Sequence, residues 1–206
     1  MEIETFPALL LPGLRHGFST RSPGALDELE TELRESFTKA GFPIANAASG
    51  EQPHGNRIAA VSGAGRVPDV DALSTATGGL PLIVRVADCG PVYFYDPVRR
   101  VIAVAHSGRR GTEGNIVGET VAHLERVHGS RPSDLIVQIG PCIRPPNYEI
   151  DFAAEIARQA ARAGVIHFHD GGVCTASNLG RYYSYRAEKG KTGRMWAVLM
   201  LENEAA

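Results

Sequence analysis

The chain of 206 residues is long enough for one domain with a buried core, and its 43% hydrophobic and 21% charged residues are typical of a globular protein rather than a disordered or fibrous one. Its net charge of -2 supplies no basic field for a nucleic-acid backbone, so we expect no nucleic-acid partner. The 3 widely spaced cysteines argue against a disulfide scaffold. The N-terminal segment does not resemble a signal peptide, and no apolar stretch is long enough to span a membrane. Together with the cysteine pattern, these features predict a cytoplasmic protein without membrane contact.

The hydrophobic pattern predicts alternating strands and helices within a single domain, 1–206. Leucines spaced by three or four residues predict a first helix over 26–40. A second helix is expected from Thr112, as its N-cap, to about His128, and a third from the cap Asp151 to near Gly164. Short apolar runs predict strands at 58–61, 82–86, 91–95, 101–105, 135–139 and 194–201. Together they predict an α/β (α+β) fold with a mixed β-sandwich core and flanking helices.

One cysteine and one histidine flank a predicted hairpin. Cys89 precedes the first strand, His106 follows the second, and Asp96-Pro97 marks the turn between them. A symmetric register centred between Pro97 and Val98 places Cys89 opposite His106. Directly opposed Cβ atoms lie about 4.5–5.5 Å apart. At that separation a thiolate and an imidazole can hold one metal ion, such as zinc.

His54 is the best candidate for a third metal ligand, because it lies in a loop rather than on an apolar face. Two histidines and one cysteine would leave a fourth position open, as in catalytic zinc sites. The same residues have simpler interpretations. A cysteine at a strand start is commonly a small buried hydrophobic residue, and a histidine at a strand end is commonly a hydrogen-bonded surface residue. Residue spacing alone does not choose between these readings.

A glycine-rich segment, 107–112, leads into the second predicted helix. Its backbone N–H groups and Arg110 are candidates for binding an anion. The alternative is a turn whose arginines face solvent. The segment lacks the lysine and the spacing of a P-loop, so it is no nucleotide-binding signature of that type.

A series of short motifs resembles the laccase-domain family, long labelled polyphenol oxidase and associated with purine nucleoside phosphorylase activity. The resemblance spans nearly the whole chain. In chain order the motifs are His16-Gly17-Phe18-Ser19-Thr20-Arg21, His54-Gly55, Asp71-Ala72-Leu73-x-Thr75, Ala87-Asp88-Cys89-x-Pro91, His106-x-Gly108-x-Arg110-Gly111-Thr112, Ile139-Gly140-Pro141-x-Ile143, Tyr148-Glu149-Ile150, Cys174-Thr175, Tyr183-Ser184-Tyr185-Arg186 and Thr192-Gly193-Arg194-Met195.

The resemblance implies one metal ion, usually zinc with copper as the alternative, bound by His54, Cys89 and His106. It implies phosphorolysis of adenosine, inosine, guanosine or methylthioadenosine, together with adenosine deamination. The expected partners are therefore a purine nucleoside and phosphate. The oligomeric state stays open.

Phosphorolysis requires cationic groups that bind phosphate and a group that assists departure of the purine. Arg110 is the first candidate for the phosphate and is also counted among the catalytic residues. Arg21 and Arg186 are further substrate-binding candidates, and Arg194 is a weaker one. Any of these arginines would equally be explained as a solvated surface residue.

Cys89 and Asp88 complete the expected catalytic set. The resemblance implies that Cys89 is a metal ligand, and Asp88 beside it is a candidate proton shuttle or partner of a metal ligand. A turn-capping role is an equal alternative for Asp88. The chain departs from the family pattern at Arg109, where an aromatic residue is usual, and in the short segment between Arg21 and His54.

Three other classes stay open. A copper-binding polyphenol oxidase-type oxidoreductase fits a Cys-His-His set, but the trinuclear cluster of a laccase needs more histidines than the 7 present can provide near the motifs. A cysteine hydrolase would use Cys89 as nucleophile and His106 as base, and the sequence identifies no group to orient that histidine. The third class is a non-catalytic metal-binding member of the family.

Overall fold

In the computed structural model, which describes residues 1–203, two six-stranded sheets pack face to face and helices cover their outer surfaces. The last three residues of the predicted domain lie outside the described residues. The predicted α/β (α+β) sandwich is confirmed. The strands are β1 Ile3–Glu4, β2 Leu14–Ser19, β3 Ala48–Gly50, β4 Ile58–Ala60, β5 Gly65–Val67, β6 Ala72–Thr75, β7 Leu82–Val86, β8 Gly90–Asp96, β9 Val101–Ser107, β10 Ile136–Ile139, β11 His167–Asp170 and β12 Met195–Leu201. The helices are α1 Leu29–Lys39, α2 Arg109–Glu113, α3 Ile116–His128 and α4 Phe152–Arg162. No helix in this part of the chain is long and apolar enough to cross a membrane.

Both sheets are mixed. The first runs β1-β2-β12-β7-β3-β5, and the second runs β11-β10-β8-β9-β6-β4. Side chains alternate along β8: Tyr93 and Tyr95 pack into the core between the sheets, whereas Val92 and Phe94 pack into a second core beneath α3 and α4. The central strands are therefore buried on both faces, which is why their sequences read as continuous apolar runs.

Helix α1 covers the outer face of the first sheet. Leu29 and Phe37 are buried there, and the Phe37 ring stacks on that of Trp196 with centroids 6.1 Å apart. The helix begins three residues later than predicted, because the chain at 25–28 closes a turn with a 3.2 Å backbone hydrogen bond. Leu26, which fits the helical spacing, is 52% exposed in that turn. The apolar spacing therefore predicted the helix correctly but started it one turn too early.

The helix expected from Thr112 to His128 is two helices, so that prediction was wrong at its start. The Thr112 hydroxyl donates to the Gly108 carbonyl at 2.8 Å, which places it inside α2 rather than at an N-cap. Asn115, with φ of 60°, interrupts the helix before α3. The predicted cap of α4 is confirmed, since the Asp151 carboxylate accepts the Ala154 N–H at 3.0 Å.

The hairpin of β8 and β9 has a different register from the symmetric one expected. Its turn spans four residues, 97–100, and the Asp96 carboxylate accepts the backbone N–H groups at 98 and 99. His106 therefore pairs with Pro91 rather than with Cys89. Cys89 lies just before the first residue of β8, so the two side chains meet diagonally at the open end of the hairpin.

Candidate active site

Three side chains from separate segments converge at the open end of the hairpin. His54 comes from the loop between β3 and β4, Cys89 precedes β8, and His106 lies on β9. Their nitrogen and sulfur atoms all lie within 4.8 Å of one another. The two imidazole ring centroids are 4.8 Å apart at an interplanar angle of 78°. The fold thus brings together the three residues that the sequence indicated as metal ligands.

Asp71, buried immediately before β6, connects two of these residues. Its Oδ1 accepts the Nδ1–H of His106 at 2.8 Å and the backbone N–H of His54 at 3.0 Å, and its Oδ2 accepts the Gly55 N–H at 2.6 Å. Because a carboxylate only accepts, Nδ1 of His106 carries a proton, and Nε2 is the ring nitrogen left for another partner. The same carboxylate holds the His54 loop, where His54 has φ of 66°.

The environment favours a thiolate at Cys89. Burial by itself raises the pKa of this thiol, but hydrogen bonds and charge interactions with His106 and His54 outweigh burial and lower the pKa to about 6. Burial lowers the pKa of His106, and the hydrogen bonds to Asp71 and Cys89 outweigh it and raise the pKa to about 9. Without a metal ion Cys89 and His106 therefore form a coupled thiolate and imidazolium pair, and a bound ion would replace the proton on the His106 Nε2.

Gly108 gives the three side chains room. A Cβ atom at this position would lie 2.8 Å from the Cys89 Sγ and 3.2 Å from the His54 Cδ2. Both separations are shorter than van der Waals contact, so any larger residue would displace one of the two side chains. The glycine-rich segment before α2 is thus needed for close packing against the cluster.

The donor set fits one metal ion. One thiolate sulfur and two imidazole nitrogens are the ligands that zinc prefers, and they also suit copper. The Asp71 hydrogen bond to His106 is the kind of outer contact that fixes the tautomer of a metal-bound histidine. Within residues 1–203, these are the three His, Cys, Asp or Glu side chains that form a group close enough to share an ion.

A cavity of about 910 Å³ opens beside the cluster. This volume lies at the upper end of the range for small-molecule sites and can admit a ligand of nucleoside size. Three aromatic side chains, Tyr148, Phe152 and Tyr185, line it. The cationic side chains that line it are Arg85, Arg109, Arg186, Lys189 and Arg194.

Three further predicted site residues, Asp88, Arg186 and the weaker candidate Arg194, line this cavity. The Asp88 carboxylate accepts the Thr175 hydroxyl and the backbone N–H of Arg186, both at 2.8 Å, so each of its oxygens has a partner. The Arg186 guanidinium donates to Glu149 at 3.0 Å and lies 4.5 Å from the Tyr148 ring centroid.

The other two predicted arginines lie outside the lining of the cavity. Arg21 pairs with Glu188 at 2.7 Å. Arg110 is exposed on α2, and its neighbour Arg109 reaches the cavity instead. Arg109 pairs with Glu149 at 3.7 Å, so the residue that departs from the family pattern is the one that faces the site.

Several residues of the site were missed by sequence reasoning, among them Asp71, Arg85 and Lys189. Asp71 was part of a recognised motif but had no assigned role, and its signal is an acidic residue immediately before a buried strand. Arg85 also has a signal, as the single charge in the otherwise apolar strand β7. Lys189 lies in a polar loop, where nothing in the sequence distinguishes it from its neighbours.

Comparison with known proteins places this chain in one family, through a family model and through named relatives. The family model described as multi-copper polyphenol oxidoreductase laccase matches residues 24–154 and 150–202. A protein of Deinococcus radiodurans named purine nucleoside phosphorylase is 32% identical, over 95% of this chain and 93% of that protein. The purine nucleoside phosphorylase YlmD of Geobacillus stearothermophilus is 30% identical, over 77% of this chain and 73% of its own.

Solved structures show the same architecture. The crystal structure of YlmD from Geobacillus stearothermophilus superposes with a TM-score of 0.87 at 26% identity, covering 96% of this chain and 94% of that one. The Bacillus licheniformis hypothetical protein YfiH superposes with a TM-score of 0.83 at 22% identity, covering 92% and 93%. The second likeness supports the fold alone.

Proposed function

We propose that this chain, which belongs to the family described as multi-copper polyphenol oxidoreductase laccase, is a purine nucleoside phosphorylase. The observation that carries the proposal is the His54, Cys89 and His106 cluster at the wall of a cavity large enough for a nucleoside. Relatives that share about a third of the sequence and carry that name support it. The 3 free cysteines fit the reducing cytoplasm.

His54, Cys89 and His106 would hold one zinc ion, with copper as the alternative. When bound, such an ion supplies a Lewis acid at the edge of the cavity. Asp71 keeps the proton of His106 on Nδ1, so that Nε2 stays available as a ligand. The half-buried Cys89 supplies a negative charge that reduces the net charge of the bound ion.

The remaining lining residues suit the two substrates. Tyr148, Phe152 and Tyr185 offer aromatic faces for a purine. The cationic side chains offer charge for phosphate. In phosphorolysis a phosphate oxygen bonds to the anomeric carbon while the bond from that carbon to the purine nitrogen breaks. Binding both partners in one cavity lets them react as neighbours.

The decisive experiment incubates the purified, zinc-loaded protein with adenosine, inosine, guanosine or methylthioadenosine, with and without phosphate. We expect free base only when phosphate is present, together with ribose 1-phosphate from the ribonucleosides or 5-methylthioribose 1-phosphate from methylthioadenosine. His54→Ala should abolish product formation, whereas His167→Ala, an exposed histidine on β11, should retain it. Absence of free base from all four nucleosides would overturn the proposal.

Adenosine deamination is a separate part of the proposal. It replaces the amino group at C6 with oxygen from water and therefore needs no phosphate. Conversion of adenosine to inosine in phosphate-free buffer, lost in His54→Ala, would support it. If adenosine yields adenine but never inosine or hypoxanthine, the protein is a phosphorylase without deaminase activity.

A cysteine hydrolase is a second candidate, and one contact favours it. Asp71 is the group that orients His106, so Asp71, His106 and Cys89 together have the arrangement of a nucleophile, a base and an orienting acid. His54 has no role in that arrangement, which is why the metal site is preferred. Zinc at one ion per chain, with Cys89 protected from alkylation by the ion, would argue against the hydrolase.

A multicopper oxidase is disfavoured by where the other histidines lie. His123 and His128 both bond the buried Ser74 hydroxyl, and His16 accepts the Phe6 N–H. They are committed to packing contacts rather than to a second metal cluster. Metal analysis of protein purified without added metal distinguishes zinc from copper, and the characteristic blue absorption of a Cys–Cu centre would favour the oxidase.

A further inference from the structure

The cavity is positively charged although the whole chain is not. Five cationic and two acidic side chains, Glu51 and Asp88, line it, whereas the net charge of the protein is -2. Asp88 is occupied by Thr175 and the Arg186 N–H, and Glu51 lies 3.7 Å from Arg66. The positive charge is thus concentrated in the one place where the proposed reaction requires an anion.

The five cations are not equivalent. Arg109 and Arg186 share the Glu149 carboxylate, with ion-pair distances of 3.7 and 3.0 Å. Their charges are partly neutralised within the protein. Arg21, predicted as a substrate ligand, is likewise paired with Glu188 and lies outside the cavity.

The other three, Arg85, Lys189 and Arg194, make no ion pair with a carboxylate in the described chain. Arg85 donates to the Gln52 side chain and to a backbone carbonyl. Arg194 donates only to the carbonyls of the two residues before it. The ammonium group of Lys189 has no hydrogen-bond partner within residues 1–203. These three carry the uncompensated charge of the cavity.

The fold holds the three near one another. Arg85 pairs with Trp196 across β7 and β12, and Arg194 stands two residues before that partner. Tyr185 connects the remaining cation to this pair. The Arg194 guanidinium lies 5.6 Å from the Tyr185 ring centroid, and the turn that contains Lys189 packs on the same ring at Gly190.

We propose that Arg85, Lys189 and Arg194 form the phosphate-binding subsite of this cavity. The inference rests on the proposed function, because it assigns residues to the co-substrate of that reaction. Three convergent cations without carboxylate partners in the described chain repel one another until an anion lies between them. A bound phosphate dianion relieves that repulsion, and its oxygens accept charge-assisted hydrogen bonds from the guanidinium and ammonium groups.

The position of Arg110 makes the proposal specific. Arg110 and the first turn of α2 were the sequence-based candidates for the phosphate, but Arg110 is exposed and outside the cavity lining. The two assignments predict opposite outcomes for single substitutions. Only the new one makes Lys189 part of the substrate site, and it promotes Arg194 from a weaker candidate to a direct phosphate ligand.

The test measures binding of inorganic phosphate alone by isothermal titration calorimetry with the zinc-loaded protein. Lys189→Gln and Arg194→Gln should each weaken phosphate binding about tenfold or more, as expected for loss of a charge-assisted hydrogen bond. Lys191→Gln is the matched control, because Lys191 is an exposed lysine of the same loop that does not line the cavity. It should bind as the wild-type chain does. Arg85→Gln is a third variant. Because Arg85 is half-buried, its substitution can also disturb folding, whereas substitution of the exposed Lys189 and Arg194 tests phosphate binding alone.

Unchanged phosphate affinity in both Lys189→Gln and Arg194→Gln would overturn the proposal, as would no phosphate binding by the wild-type chain. Loss of binding in Arg110→Gln alone would restore the earlier assignment. The proposed function is judged separately by release of free base. Phosphate-dependent release with an unchanged KM for phosphate in both loop variants would leave the phosphorylase standing and remove this subsite. Phosphate binding through these residues without release of free base would support the subsite and overturn the phosphorylase.

Discussion

His106 and Asp71 are joined twice. The imidazole Nδ1–H donates to the Asp71 carboxylate at 2.8 Å, and the His106 backbone N–H donates to the Asp71 carbonyl at the same distance. The first bond sets the tautomer and the second fixes the strands β6 and β9 against each other. Because the carboxylate also holds the His54 loop, one buried residue positions two of the three proposed metal ligands.

Substitution of this residue should weaken metal binding. Asp71→Asn removes the negative charge and one of the acceptor oxygens, so His106 loses its fixed tautomer and the His54 loop loses an anchor. We expect zinc affinity to fall about 10- to 100-fold, measured by competition with a chromogenic chelator. Asp69→Asn, an exposed aspartate two residues earlier, is the control and should leave the affinity unchanged. Equal affinities in both variants would show that Asp71 does not support the ligands.

The glycine beside the cluster gives a steric test. In Gly108→Ala the new Cβ would lie 2.8 Å from the Cys89 Sγ, so the thiolate must move. We expect zinc affinity and phosphorolysis to fall by roughly tenfold or more, with a loss of about 1–3 kcal/mol in the free energy of unfolding. The backbone at 108 is extended, with φ of -85°, so alanine itself introduces no backbone strain.

Gly63→Ala is the matched control for that substitution, because a Cβ there meets no atom within 4 Å. It should leave metal content, activity and unfolding midpoint as in the wild-type chain. Measurement of zinc by mass spectrometry and unfolding by urea would compare the two variants directly. A Gly108→Ala protein that retains wild-type metal affinity would show that the close contact at Cys89 is not required.

Much of the fold followed from local pattern, and the errors have local causes. Strand β7 and the cap of α4 occur where apolar runs and an acidic cap predicted them. The hairpin register was wrong because its turn contains four residues that the Asp96 carboxylate holds through two backbone N–H groups. Such side-chain capping adds two residues to a turn without changing the apolar pattern of either strand.

The site was predictable only in part. Cys89 and His106 flank one hairpin, so short-range geometry brought them together despite the wrong register. Asp71, however, meets them through the pairing of β6 with β9, which no local pattern reveals. Lys189 reaches the cavity because its segment is held there by the Arg186 N–H, which donates to the distant Asp88 carboxylate at 2.8 Å. Residues that act through long-range packing require the structure.

Cys89 and Cys142 should differ in reactivity. In metal-free protein at pH 7 Cys89, with its pKa lowered to about 6, is mostly thiolate, whereas burial raises the pKa of Cys142 to about 12. We expect iodoacetamide to alkylate Cys89 rapidly and Cys142 only on unfolding, as measured by peptide mass spectrometry over time. Zinc added before the reagent should protect Cys89. Faster labelling of Cys142 than of Cys89, or no protection by zinc, would contradict the predicted thiolate ligand.

A buried histidine away from the site should destabilise the protein in acid. His16 is 4% exposed, and its Nε2 accepts the Phe6 N–H at 2.6 Å. Burial lowers its pKa from 6.5 to about 4 and outweighs the backbone hydrogen bonds with Leu9 and Phe6, which raise it. The unfolded chain therefore takes up a proton near pH 6.5, while the folded chain resists protonation down to about pH 4. The contribution of neutral His16 is fully present above pH 6.5 and is lost as pH falls through that window.

His16→Gln tests this, because the amide oxygen can still accept the Phe6 N–H but does not titrate. Urea unfolding of metal-free proteins between pH 7 and pH 4 should show the free energy of unfolding of the wild-type chain falling relative to His16→Gln, by about 3 kcal/mol at the acid end. His167→Gln, at an exposed position on β11, should follow the wild-type pH dependence. A difference between wild type and His16→Gln that stays constant with pH would show that His16 titrates normally in the folded protein, and that its burial does not drive acid unfolding.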